Sequence, residues 1–344
     1  MIKRYSKNND RVRIGVIGCG KMGQNHLRVL SEMNGLFDLV GFYDSDKKKA
    51  DLAEIYGTRY FTSEDELIKA CDAVTIACPT SLHREKTMKA CQYNVNALVE
   101  KPIAETLDDA NDIINAFKEK NLILTVGYIE RFNPVINTLI DIVRGMEMVA
   151  VEIHRCSPFD ARIFDVDVVS DLMIHDVDIL VNGIMDEMPT KISANSRSIY
   201  NPKFADYAHA VMSFDNPKIT GGGVDAYLTT SRATENKIRT IYVHAKGAFI
   251  RADMLNKTLS IKTGTSYEFP SNLHATYKQA SVTEDVIVPQ VEPLREEMRA
   301  FGRAILGLSS IVVTGEHVIR SMKVLDSVHE KLVMVRDGDA EVVS

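Results

Sequence analysis

The sequence predicts a two-domain α/β protein: an N-terminal doubly wound parallel sheet, followed by an α+β domain with a large open, mainly antiparallel sheet. Three observations predict it. Up to about Tyr128, apolar strand patterns alternate with helical patterns, the signature of βαβ units. Beyond that point strand-like runs follow one another directly, as antiparallel sheets require. Finally, 344 residues at 45% hydrophobic content exceed what one core usually supports. The first domain is placed at 1–128 and the second at 129–344, with the last helix open to packing back on the first.

The first strand, Val12 to Ile17, leads through Gly18, Cys19, Gly20, Lys21, Met22 and Gly23 into a helical pattern. In such a loop the first glycine makes the tight turn, the second lets backbone approach a pyrophosphate, and the third packs helix close to sheet. The helix N-terminus then offers its free N–H groups to phosphates. A second strand, "FDLVGFYD", ends at Asp44, 21 residues after Gly23, where an acid reads ribose hydroxyls. Together these features are the Rossmann fingerprint. They predict a dinucleotide held by Gly18, Gly20, Lys21, Met22, Gly23 and Asp44. A carboxylate there favours NAD by repelling a 2′-phosphate. NADP is not excluded, since Lys47, Lys48 and Lys49 would bind that phosphate if they turned inward; a solvated helix start is the competing reading.

Strands follow at "AVTIAC", "NALVE" and "LILTVG", with helices near Ser81–Gln92 and Leu107–Lys118. Right-handed crossovers then give a parallel sheet. In the second domain a helix over Phe132–Val143 precedes strand-like runs at "MVAVEIHR", "TKISANSRSI", "HAVMSF", "GGGVDAYLTT", "IRTIYVHA" and "GAFIRA". Helices over Val291–Leu306 and His317–Met334 close the chain. Between these sheets' segments lies "VVSDLMIHDVDIL", where helical spacing puts Val169, Leu172, Met173, Val177 and Leu180 on one stripe and Asp171, His175, Asp178 and Asn182 on another. The polar stripe reads as a solvated face, a metal site or a proton-transfer site.

Composition removes several classes of function. The net charge of −6 gives no field that would draw nucleic acid. Cys19, Cys71, Cys78, Cys91 and Cys156 form no CxxC pair, which suits reduced thiols better than disulfides or structural zinc. The N-terminus lacks a signal peptide's apolar core, and no eighteen uncharged apolar residues run together, so a cytoplasmic protein without a membrane partner is expected.

"EKPIA" at Glu100–Ala104, "ACPTSLH" at Ala77–His83, "GYIERFNP" at Gly127–Pro134 and "DLMIHDVD" join the Gly18/Gly20/Gly23 loop. Taken in chain order they resemble the glucose–fructose oxidoreductase / inositol dehydrogenase family, and within it most closely the nucleotide-sugar members. The resemblance implies NAD(P)-dependent oxidation of a sugar or polyol at a secondary carbinol, in a cleft between two domains. It further implies that Lys101, Asp171 and His175 line the substrate pocket, that Cys78, Pro79, Thr80, His83, Glu100 and Lys101 meet the cofactor, and that the chain forms a homodimer or homotetramer through its second-domain sheet.

Hydride transfer requires the alcohol to lose its proton as the hydride leaves, so the site needs a base that titrates near working pH. His175 is expected to be that base, Asp171 to orient its ring, and Lys101 to stabilise developing alkoxide charge. Pro102 restrains the Lys101 backbone, for which a cis bond is one means. No metal is expected, although His175, Asp171 and Asp178 have ligand-like spacing. Arg155 and Arg162 are candidates for a nucleotide-sugar diphosphate because guanidinium suits bidentate phosphate contact. Tyr128 and Arg131 are weaker substrate candidates. The activity that the resemblance implies is oxidation of a nucleotide sugar, most closely UDP-N-acetylglucosamine at C3. The rivals are a free polyol or sugar dehydrogenase and a non-catalytic NAD(H)-binding regulator.

Overall fold

A computed structural model describes residues 11–160, 166–200, 202–215, 223–264 and 281–335. The chain divides into two compact units, one of residues up to Phe132 with Val291–Ile319, the other of Asn133–Gln290 with the chain from Arg320 onward.

In the first unit, β1 (Val12–Ile17), α1 (Lys21–Ser31), β2 (Phe37–Tyr43), α2 (Glu64–Ala70), β3 (Ala73–Ile76), α3 (His83–Gln92), β4 (Asn96–Val99), α4 (Leu107–Glu119) and β5 (Leu124–Val126) follow in order. The strands pair in parallel as β2-β1-β3-β4-β5. β3 and β4 are buried along their whole length, as strands covered by helices on both faces must be. Next to β2, Tyr60 makes a parallel bridge to Phe42, and the backbones of Arg59, Phe42 and Phe61 are hydrogen-bonded in sequence. This stub supplies the outer strand that gives the doubly wound dinucleotide order, so the reversal point lies between β1 and β3. Ser63 and Thr106 cap α2 and α4 through their hydroxyls.

In the second unit α5 (Pro134–Val143), with Asn133 capping it, precedes β6 (Met148–Cys156). A helical stretch follows in which α6 (Ile174–Ile179) lies between two π-helical turns, Val169–Met173 and Leu180–Ile184. Then come β7 (Lys191–Arg197), β8 (Tyr207–Phe214), β9 (Val224–Ser231), β10 (Ile238–Ala245), β11 (Ala248–Asp253), β12 (Thr258–Thr263) and β13 (Val282–Val286). α7 (Pro293–Ile305) returns to the first unit; α8 (Gly315–Lys331) and β14 (Leu332–Val335) end the described chain. Among the described residues the second sheet has nine strands in the order β13-β12-β11-β10-β6-β9-β8-β7-β14. It is antiparallel except for β6 with β9 and β7 with β14. The helical pattern expected to Met334 therefore stops at Lys331, because Leu332–Val335 pairs with β7 as the sheet's edge strand instead.

One face of this sheet is apolar and buried, through Val151, Ile153, Ala210, Met212, Leu228, Ile241, Val243 and Ile250. The other carries Glu152, His154, His209, Tyr227, Tyr242, His244 and Phe249, all partly or well exposed. The first unit's core joins β1, α1 and β2 to α7: Val12, Leu27, Leu30 and Phe37 pack with Leu294, Met298, Phe301 and Ile305. Arg28 of α1 pairs with Glu292 just ahead of α7. Among the described residues no helix is long and apolar enough to cross a membrane.

Candidate active site

The first unit's ligand edge is built by the loops that leave the C-terminal ends of its strands. After β1 the chain turns at Gly18, whose φ of +85° favours glycine. A Cβ there would meet the Cys78 backbone nitrogen at 2.6 Å, and one at Gly23 would meet the Gly18 carbonyl oxygen at 1.9 Å. Helix and strand can approach this closely only without side chains. Gly20 has open space instead, with nothing within 4 Å of a built Cβ. α1 starts at Lys21 with no side-chain cap, so the first N–H groups of Lys21, Met22 and Gly23 remain for a ligand's phosphates. The cradle fits a dinucleotide pyrophosphate.

Asp44 stands directly after β2, its carboxylate accepting from the Cys19 backbone at 2.6 Å and from Asp46 at 2.8 Å. It is fixed beside the glycine loop and remains half-exposed. Lys47 and Lys48 begin a short, solvated helical turn capped by Asp46. Burial, with the negative charge of Asp44 beside it, pushes the Cys19 thiol up to about 12. Burial likewise raises Cys71 to about 12 and Cys78 to about 11. All five cysteines are free thiols.

After β3, Cys78, Pro79 and Thr80 form the neighbouring loop. His83, predicted at the cofactor edge, is buried at the start of α3. Its ring nitrogens lie 2.7 Å from the Pro102 carbonyl oxygen and 2.9 Å from that of Cys78. The imidazole therefore ties the β3 loop to the β4 loop. Glu100 directly follows β4 and is turned inward: the His26 ring donates to one carboxylate oxygen at 3.0 Å and the Lys101 backbone to the other at 3.3 Å. Lys101 is half-buried, and its bond to Pro102 is cis. Tyr128 is buried directly behind β5, and Arg131 is half-buried on the turn Ile129–Phe132.

Sequence reasoning missed His26 and Glu297. Glu297 on α7 is buried, with neither carboxylate oxygen hydrogen-bonded among the described residues. Burial and the charge of Glu100 push its carboxyl well above the ordinary carboxylate range. An acid inside the apolar stripe of α7 was the available signal.

In the second unit Asp171 lies in the first π turn and His175 in α6, both half-exposed. The rest of the expected polar stripe is interior. Asp178 accepts from Asn182 at 2.9 Å and from the Ser321 hydroxyl at 3.3 Å, and all three are buried. Asp176 is also buried and accepts from Arg155 at 2.8 Å. Arg155, expected at a diphosphate, is thus turned into the core. The alternation Val151, Ile153, Arg155 along β6 carried that information. Arg162 lies outside the described residues. Ahead of Asp171, Asp167 accepts from the Ser170 backbone at 2.8 Å and pairs with His329 of α8 at 3.2 Å. The Asp167 hydrogen bond raises His329 above its ordinary value; burial opposes the reverse effect on Asp167, but the hydrogen bonds from His329 and Ser170 outweigh it and hold Asp167 low.

A parallel dinucleotide sheet with its glycine cradle, joined to a unit carrying an Asp/His helix beside an open sheet, defines a class of two-unit oxidoreductases. Residues 12–128 match the family described as "Oxidoreductase family, NAD-binding Rossmann fold", and the chain belongs to the glucose–fructose oxidoreductase / inositol dehydrogenase family. Over 255 residues it is 33% identical to UDP-N-acetylglucosamine 3-dehydrogenase of Acidithiobacillus ferrooxidans, covering 73% of this chain and 76% of the relative. The solved structure of that relative superposes with a TM-score of 0.81 at 27% identity, covering 94% of this chain and 98% of the other. Inositol 2-dehydrogenase of Rhizobium meliloti is 26% identical over 273 residues, covering 75% of this chain and 81% of the relative. The WlbA dehydrogenase from Bordetella pertussis, solved with NADH and UDP-GlcNAcA, shares the fold at a TM-score of 0.72 and 17% identity over 93% of this chain and 96% of its own.

Proposed function

We propose that this chain is an NAD-dependent dehydrogenase that oxidises a secondary hydroxyl of a nucleotide sugar, C3 of UDP-N-acetylglucosamine or a close analogue, to the 3-keto sugar. The observation that carries the reading is the 33% identity to a UDP-N-acetylglucosamine 3-dehydrogenase across 73% of the chain. Gly18, Gly20, Lys21, Met22, Gly23 and Asp44 would hold a nicotinamide dinucleotide, which would supply the hydride acceptor. The chain's own residues handle the proton and the charge. His175 takes the hydroxyl proton, Asp171 orients the imidazole and stabilises its charged form, and Lys101 stabilises negative charge growing on the substrate oxygen. The Glu100 contacts to His26 and to the Lys101 backbone hold the lysine's main chain. Asp44 disfavours a 2′-phosphate, which supports NAD over NADP.

The test is to incubate purified protein with NAD and a panel of UDP-N-acetylglucosamine, UDP-glucose, the corresponding uronates and myo-inositol, following absorbance of the reduced cofactor. Reduction with UDP-N-acetylglucosamine but not inositol is expected. In the same assay His175→Ala should lower turnover by about 10²–10⁴ while NAD affinity stays near wild type. Reduction by inositol alone would transfer the assignment to a polyol dehydrogenase, the second reading favoured by the similarity to inositol 2-dehydrogenase. NAD binding with silence across the panel would favour a non-catalytic NAD(H)-binding regulator.

A further inference from the structure

We propose that the buried Arg155–Asp176 ion pair is a positioning device that fixes the direction of His175, setting turnover without touching substrate or cofactor; this rests on the role given to His175 above. The Arg155 guanidinium donates to Asp176 at 2.8 Å, with side chains only 2% and 0% exposed. Arg155 shares the inward side of β6 with the buried Val151 and Ile153, and the Met254 sulfur lies 4.0 Å away.

Fold stability does not account for such a pair. Desolvating two charges offsets most of their attraction, and apolar residues of similar volume often serve as well. What the pair supplies is direction. The Nε–H contact from β6 holds one Asp176 carboxylate oxygen in place, and Asp176 directly follows His175. Successive residues of an α-helix point about 100° apart, so pinning Asp176 inward determines where the half-exposed His175 points.

The helix needs an external clamp here. α6 has only six residues, and π turns on both sides break the regular hydrogen-bond ladder. Its C-terminal side is held by Asp178, Asn182 and Ser321. The turn carrying His175 is held from β6 by Arg155.

The test is the double variant Arg155→Met/Asp176→Leu, which replaces both members of the pair by apolar groups of similar volume. It should fold with a melting temperature near wild type and bind NAD unchanged. Its kcat for the sugar substrate should fall about 10- to 100-fold, the effect of a small misplacement of a reacting group, with KM little altered. Independently of activity, the imidazole ¹H–¹³C signal of His175, assigned by its loss in His175→Ala, should shift and broaden. A folded double variant with wild-type kcat and an unchanged His175 signal overturns the proposal. Should that variant not fold, Arg155→Lys keeps the charge and removes the Nε–H that donates to Asp176; it should show the same loss, and wild-type turnover in it overturns the proposal too. If His175→Ala turns over like wild type, the base assignment fails by itself. The His175 signal in the double variant or in Arg155→Lys then still decides the positioning claim, a shift sustaining it and its absence overturning it.

Discussion

Asp44 has two tasks that can be separated by experiment. One carboxylate oxygen holds the Cys19 backbone and the other the Asp46 backbone, and the same charge faces the ribose in the proposed complex. Asp44→Ala removes hydrogen bonds to a charged group, each worth about 1.5–3 kcal/mol, so NAD affinity should fall by about 10- to 100-fold. NADP affinity should fall less, because the repulsion of a 2′-phosphate disappears with the charge. Fluorescence titration with both cofactors checks this, and an equal loss for the two would mean that Asp44 only shapes the loop. The glycine cradle was legible in the sequence because sterics demand it: Gly18 and Gly23 have no room for a Cβ. Arg155 was harder to read, since an arginine near an expected diphosphate suggests a surface role. Its place in the alternation of β6 pointed inward, and its partner is 21 residues away in sequence.

At the scale of elements, α1, α4 and α7 followed their apolar stripes closely, while hydrogen-bond register was not legible. Nothing in an apolar/polar pattern distinguishes a π turn from an α turn, so the two that flank α6 were unforeseen. β13 has four exposed residues of five and no alternation to detect, and β14 exists through its non-local pairing with β7. The latch ahead of Asp171 has a pH signature. His329, raised by Asp167, contributes stability fully below its ordinary value of 6.5 and loses it as pH rises through the raised value. Asp167, held low, contributes above its ordinary 3.8 and loses that as pH falls through the lowered value. The latch is therefore complete from about pH 4 to about 6.5. The melting temperature of wild type should decline above pH 6.5 relative to His329→Gln; parallel curves would show that the pair contributes nothing.

At the scale of the whole molecule, the open face of the nine-stranded sheet is the surface we expect a second copy to cover. Tyr227 is exposed there amid Glu152, His209 and Tyr242, a mix of aromatic and polar groups suited to an interface core. Sedimentation should give a dimer or tetramer, and Tyr227→Glu should shift it toward monomer; a wild-type monomer at micromolar concentration would remove the expectation.

The return of α7 to the first unit also dictates an order of events during synthesis. Leu294, Met298, Phe301 and Ile305 complete a core begun by Val12 and Leu27, so the dinucleotide unit cannot close when its last strand leaves the ribosome. It waits through all of Asn133–Gln290, on the order of ten seconds of elongation, with an apolar groove uncovered. Nascent chains stalled before Pro293 should therefore recruit chaperones, and released full-length chains should not.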